Sequence, residues 1–229
     1  MNDNLVDVIG DLISRIGTIQ VSSIDLPTVY ICGSTLSIRV GDVITSETGE
    51  EYTVTAVDPN VSIDVEPKDH TTPFAGPTVN MKPITFLHGT PQSTSEEYLE
   101  LDTDTANKTP FAWLLETYEY DTGGRDSALA ADFDVRMFLL HEADEEEWDN
   151  NQHNDLAIKP MEAVARKLEE IIEEDFNFTG FTGMNVKVRS RFGVYVTDKG
   201  NTAKIIEEDL SGVELRFRLK AYDVEACRC

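Results

Sequence analysis

Phe133-Asp134-Val135-Arg136-Met137-Phe138-Leu139-Leu140 is the stretch that decides the fold. Phe133, Val135, Met137 and Leu139 recur at every second position, the period of a strand with one face on a core. The alternate face begins polar, with Asp134 and Arg136, and ends apolar, with Phe138 and Leu140, so that end is expected to be covered on both sides. Asp132 is a poor strand residue and places the start near Phe133. Upstream, Pro110-Phe111-Ala112-Trp113-Leu114-Leu115-Glu116 opens a second strand-like segment running to Tyr120, in which Trp113 and Tyr118 favour a sheet. Downstream comes the acidic run Glu142-Ala143-Asp144-Glu145-Glu146-Glu147-Trp148-Asp149, and then a helix. Pro160 suits its first turn, Met161, Val164, Ala165, Leu168, Ile171 and Ile172 form its buried stripe, and Glu169, Glu170, Glu173 and Glu174 its wet side. Two alternating runs close the pattern, Val186 to Phe192 and Val213 to Lys220. Strand, strand, helix, strand, strand is a compact core of the α+β class.

The first segment adds a second helix. Leu5, Val8, Ile9, Leu12, Ile13 and Ile16 fall on one face, Asn2 or Asp3 can cap its start, and Gly17 suits its stop. Residues 18–88 change character. Thr28 to Ile31, Leu36 to Val40, Tyr52 to Val57 and Val61 to Val65 are short runs rich in β-branched residues. Gly33-Ser34, Glu47-Thr48-Gly49 and Asp58-Pro59-Asn60 read as turns. The tract from Pro67 to Pro83 reads as a linker or loop, Ile84 to His88 as a short strand, and Ser95 to Leu101 is ambiguous. The expected architecture is therefore a mixed or antiparallel sheet flanked by two main helices, formed by 1–17 and 84–229. A small antiparallel β module, 18–83, is inserted into it.

Charge is the compositional outlier: the 229 residues include 43 acidic and 19 basic ones, a formal net charge of -24. Free nucleic acid is a poor general partner for such a chain, because phosphate binding needs a basic footprint, although a local basic patch stays compatible with it. No stretch is long and apolar enough to span a bilayer, and Met1-Asn2-Asp3-Asn4 lacks the positive region of a secretory signal, so the chain is expected to be made in the cytoplasm. Cys32, Cys227 and Cys229 are too few for a disulfide framework, and the C-x-C pair has no further metal ligands close in sequence.

Catalytic spacing is missing. The run 142–149 lacks the spacing and turn glycine of a calcium loop. His70, His88, His141 and His153 match no zinc motif and read as loop or strand-end residues. Gly123-Gly124-Arg125 lacks the lysine and spacing of a phosphate loop, and no G-x-S-x-G elbow occurs. No enzyme activity, cofactor or metal is expected. Two surface features stand out instead. Lys187, Arg189 and Arg191 share one strand face, and Arg216, Arg218 and Lys220 share another; antiparallel pairing of the two strands would merge them into one basic patch. Such a patch is either an exposed face balanced by local glutamates or a contact with the acidic surface of a neighbouring copy, with Glu145, Glu146 and Glu147 as the candidate opposite pole. The segment 175–184 interleaves Phe176, Phe178 and Phe181 with polar residues and glycines; it either plugs the helix end onto the sheet or forms a docking loop.

The helix 3–16, the strands near 111–120 and 133–141, the helix 160–174 after an acidic loop and the closing strands 186–197 and 213–223 together resemble the tail terminator and neck (head–tail completion) proteins of tailed bacteriophages. Thr109-Pro110-Phe111-Ala112-Trp113-Leu114-Leu115-Glu116 looks like segments of phage structural proteins. The resemblance covers about two-thirds of the chain and is one of element order, without a diagnostic motif; segment 18–83 departs from it. It implies a virion structural protein forming an oligomeric ring, commonly a hexamer, that caps the tail tube and joins it through the neck to the head. Partners would be other copies, the tail tube and neck or connector proteins, with DNA only passing through a lumen whose acidic walls repel phosphate. Another head–tail connector protein, or a non-viral binding module carried on 18–83, are the competing readings.

Overall fold

The computed structural model describes the chain apart from residues 1–4, 33–37, 39, 59–60, 69–73, 75, 77, 82–83, 102–108, 116–118, 122–129, 145–146, 176–177, 197–201, 207–208 and 223–229. The fold is α+β and mostly strand. It divides into two compact units, Met1–Leu12 with Thr85–Cys229, and Ile13–Ile84. Helix α1 (Leu5–Ile16) runs across the boundary, with Leu5, Ile9, Leu12, Ile13 and Ile16 all buried.

The smaller unit is a closed antiparallel barrel of six strands: β1 (Thr18–Asp25), β2 (Thr28–Cys32), β3 (Val43–Ser46), β4 (Glu51–Asp58), β5 (Ser62–Pro67) and β6 (Thr78–Met81), in the order β1-β2-β5-β4-β3-β6. Closure leaves no free edge within it. A barrel this narrow is filled by its own side chains, here Val29, Ile31, Ile44, Tyr52, Val54, Ile63 and Val65. Ile38 and Phe74 enter the same core from connecting segments, and Phe74 lies 5.0 Å from Tyr52, ring centre to ring centre. Burial, and secondarily the charge of Glu50, raise the Tyr52 phenol above its ordinary value, so it stays neutral.

Three expectations for this segment need correction. Leu36 to Val40 supplies no strand among its described residues: Ile38 is an irregular core plug and Val40 sits in the turn before Gly41, whose φ is 97°. The tract from Pro67 to Pro83 is more than a loop, because it carries β6, which pairs with both β1 and β3 and so closes the barrel. Strands β1 and β3 lie outside the expected runs altogether.

The larger unit is built on a mixed sheet of β11 (Phe178–Arg189), β14 (Leu210–Tyr222), β10 (Ala130–Glu142), β8 (Phe111–Leu115) and β7 (Thr85–Gly89), in that order. Strand β9 (Glu119–Asp121) pairs with β10, and a two-stranded ribbon joins β12 (Val194–Val196) to β13 (Thr202–Lys204). Among the described residues only β7 and β8 pair in parallel. Helix α2 (Pro91–Glu100) occupies the ambiguous stretch; Thr90 caps it by accepting from Ser93 N at 3.2 Å, and Pro91 stands in its first turn. The second long helix, α3 (Lys159–Glu174), is preceded by a short turn capped by Asp149 and Gln152 and by a π-helical turn, His153–Ile158.

The two faces of the sheet are covered differently. Met161, Val164, Ala165, Leu168, Ile171 and Ile172 of α3 are buried, and the helix packs on β10, β11 and β14. On that side of the sheet Val135, Met137, Leu139, Val213, Leu215 and Phe217 are buried with it, whereas Val186 and Val188 of β11, on the same side, stay exposed. On the opposite face, Trp113, Phe138 and Phe192 form an aromatic cluster with centroid separations of 4.9 to 5.8 Å. Tyr98 of α2, with Leu87, Phe111, Leu140, Ile206 and Leu210, extends this cluster over one end of the face. Trp113 Nε1 donates to Gly89 O at 3.1 Å, which satisfies its one polar atom inside the core.

Candidate functional site: an open cationic sheet face

The remainder of that face is open and charged, and its composition follows from register. Strands β10 and β14 pair antiparallel over 13 residues, from Ala130 opposite Tyr222 to Glu142 opposite Leu210. Alternation then sets Asp134 beside Arg218, Arg136 beside Arg216 and Phe138 beside Glu214 on one side. Strand β11 adds Lys187 beside Glu214 and Arg189 beside Gly212. Gly212 is required here: a Cβ on it would stand 2.0 Å from Leu139 O, an overlap that backbone cannot yield to.

Glu214 is at the centre, 0 % exposed. Its Oε1 accepts from Arg136 Nε at 2.7 Å and Arg216 Nε at 2.8 Å, and its Oε2 from Arg189 Nε at 3.0 Å and from the same guanidinium's terminal nitrogen. Burial alone would push this carboxyl upward, but the hydrogen bonds from Arg189, Arg216 and Arg136 outweigh it and hold the pKa down at about 2. Glu214 is therefore ionised at neutral pH. One carboxylate faces three guanidiniums, so the cluster keeps a surplus of positive charge. Those side chains remain reachable by solvent, at 38 % exposure for Arg136, 32 % for Arg189 and 60 % for Arg216. Arg136 also lies over the Phe138 ring at 5.4 Å, which ties the charged half of the face to its aromatic half. Further along, Arg218 donates to both oxygens of Asp134 at 3.1 and 3.3 Å in an exposed pair. Lys187 is exposed and has no ion pair among the described residues.

Of the residues singled out from sequence, Lys187, Arg189, Arg216, Arg218 and Lys220 thus come together on one face. Arg191 does not: it sits in the bend after β11, where strand alternation no longer places it. Glu147 is exposed in a turn whose backbone donates to Asp144 Oδ1 at 2.8 Å, while Glu145 and Glu146 lie outside the described residues. Phe176 lies outside them as well. Phe178 and Phe181 belong to β11, not to a loop, and are half-buried; Phe181 meets Phe217 edge-on at 5.8 Å, so it is anchored to its own sheet. Arg136 and Glu214 are the members that sequence reasoning missed. The available signal was a lone glutamate within an otherwise basic alternation, 214 to 220, and an arginine on the polar half of β10.

On the other side of the same strands a small polar chain is buried. Ser211 Oγ donates to Ser190 O at 2.6 Å and so accepts from His153 Nδ1 at 3.0 Å. His153 is accordingly a buried helical residue packed edge-on to Trp148 at 5.6 Å, and not the loop histidine expected. Among the described residues no group of three histidines, cysteines or carboxylates could hold a metal ion, and no helix is long and apolar enough to cross a membrane. No family model, no curated protein and no solved structure matches this chain.

Proposed function

We propose that this chain is a structural subunit that works by associating with copies of itself, forming a ring of the tail-terminator kind at the tail–neck junction of a tailed-phage virion. The observation that carries the reading is the open cationic face of β11, β14 and β10 on a chain of net charge -24. Every copy then presents both a positive patch and a surplus of acid, and complementary patches on identical subunits steer and register assembly. The phage assignment is supported by the element order of the chain: first helix, paired strands, acidic segment, long helix, closing strands. In that setting the ring caps the tail tube and meets neck proteins, and the acidic surplus keeps passing DNA from adhering. Another position in the head–tail connector would use the same chemistry.

The barrel supports a second reading. It has its own closed core, and Ile24, Leu26, Tyr30 and Val61 are exposed on it. A binding module on that unit would use these side chains.

Native mass spectrometry and negative-stain microscopy of the purified chain test the first reading. A closed assembly of fixed copy number that dissociates as salt is raised is the expected result. A monomer at every concentration and ionic strength overturns it. Substituting Leu26 and Tyr30 leaves that assembly unchanged if the barrel's surface serves a different partner.

A further inference from the structure

We infer that copies of this chain join head to tail, the cationic sheet face of one against the acidic outer face of α3 on the next. The inference rests on the self-assembly reading and names the two surfaces that meet.

Both surfaces belong to the larger unit and lie on opposite sides of one layer. Helix α3 packs on β10, β11 and β14 from one side, and Arg136, Lys187, Arg189, Arg216 and Arg218 stand on the other. The C-terminal half of α3 reads Glu169, Glu170, Glu173 and Glu174, followed by Asp175. Glu173 and Glu174 are exposed, whereas Glu170 is matched by Lys167 at 3.1 Å and Glu169 accepts from Met184 N at 3.4 Å.

A second observation makes this acidity significant. No basic residue occupies the last turn of α3. The C-terminal end of a helix carries the negative pole of its dipole, so carboxylates there are unfavourable within the subunit. Their repulsion is relieved when a cationic surface covers them. The sheet face offers that surface: Glu214 neutralises part of the arginine cluster and fixes its geometry, and the surplus charge faces outward.

Two different patches on opposite faces cannot form a self-complementary two-fold contact. They join heterologously, and such a contact closes into a ring when the rotation between copies allows it. This geometry follows from the strand register and helix packing of one unit, without reference to the barrel.

Two variants test it. Lys187→Glu with Arg218→Glu blocks the sheet face at two residues that donate no hydrogen bond to Glu214. Glu173→Lys with Glu174→Lys blocks the helix face. Each alone is expected to weaken association on the order of 100-fold, the scale of close interfacial charge pairs. The helix-face variant also removes the unfavourable dipole contacts, so its melting temperature stays equal or rises while assembly is lost, a split that a folding defect does not produce. Mixing the two variants pairs the intact sheet face of one with the intact helix face of the other, and the reversed charges on the two remaining faces also match, so mixed assemblies of alternating variants are the expected product by native mass spectrometry. Either variant assembling as the wild type does, or the mixture staying monomeric, overturns this pairing of faces. In those cases a wild-type oligomer leaves the self-assembly reading standing. A monomeric wild type overturns both.

Discussion

Replacing Glu214 by Gln removes the charge at the centre of the arginine cluster while keeping the side chain's shape. The folded protein holds this carboxyl at about 2, against an ordinary value of 4.5. At about 1.4 kcal/mol for each tenfold difference, ionised Glu214 contributes about 3 kcal/mol to stability at pH 7. The amide resembles the protonated acid and adds N–H groups that face guanidinium N–H groups, so about 3 kcal/mol is the least the substitution costs; removing one partner of a buried ion pair costs about 3–5 kcal/mol. In a unit of this size, about 3–5 kcal/mol corresponds to a fall in Tm of about 6–20 °C. Trp113 and Trp148 are the only tryptophans of the chain and both lie in the larger unit, so their emission during urea or thermal unfolding reports on the unit that holds Glu214. The sign of the pH dependence follows from the direction of the shift. A depressed carboxyl stabilises the fold above its unfolded value and loses that contribution as pH falls through its folded one. The pH-dependent part of the gap between wild type and Glu214→Gln is therefore full at pH 7, below half of that by pH 3, and lost below about pH 2. It also survives about 0.5 M salt, because a buried cluster is screened far less than an exposed pair. A gap under about 1 kcal/mol at pH 7, or one that does not change with pH, refutes the assignment of Glu214 as the ionised anchor.

Gly212→Ala forces a methyl group against Leu139 O, and the β10–β14 pairing has to open at that point. A loss of more than about 3 kcal/mol is expected in the same tryptophan-detected unfolding, well above the usual cost of a point substitution. Ser211→Ala strands a buried His153 N–H and the Ser190 carbonyl together. A loss of about 1–3 kcal/mol is expected, with Ser211→Thr recovering part of it if the hydroxyl is what matters.

Legibility in the sequence tracked the range of the interactions. The stripe of α3 and the alternation of β10 and β14 are local patterns, and the helix and both strands lie where periodicity placed them, with ends shifted by a few residues. The barrel was read only in part, because closing it is a long-range matter. Thr78–Met81 is four residues long, and its partners begin at Thr18 and Val43. Nothing in the neighbourhood of β6 says that it is needed there. Ile38 and Phe74 were equally opaque, since a core plug outside any strand has no period. At the candidate site alternation identified which basic residues share a face, but not what lies at its centre. That depends on the register between β11 and β14, which shifts between Thr182 and Asn185 and so decides which residues of β11 face Glu214. Phe178 and Phe181 misled for the opposite reason: glycines and polar residues between aromatics imitate a loop, and an irregular edge strand tolerates the same composition.

The arginine cluster is poorly explained as a device for stability. Burying a carboxylate and desolvating guanidiniums costs several kcal/mol per ion, and apolar side chains of similar volume commonly do as well or better in such a position. Solubility does not account for it either, because a chain with 43 acidic residues is already strongly self-repelling. What Glu214 supplies that neither alternative can is orientation. It accepts from Nε of Arg136, Arg189 and Arg216, and thereby fixes three long side chains that would otherwise be rotationally free. Fixing them in advance lowers the entropy that a partner must overcome on binding. A buried anion that pre-sets exposed cations makes physical sense on a surface that is to be met by carboxylates, and the outer turn of α3, acidic where its own helix disfavours acid, carries a matching surplus.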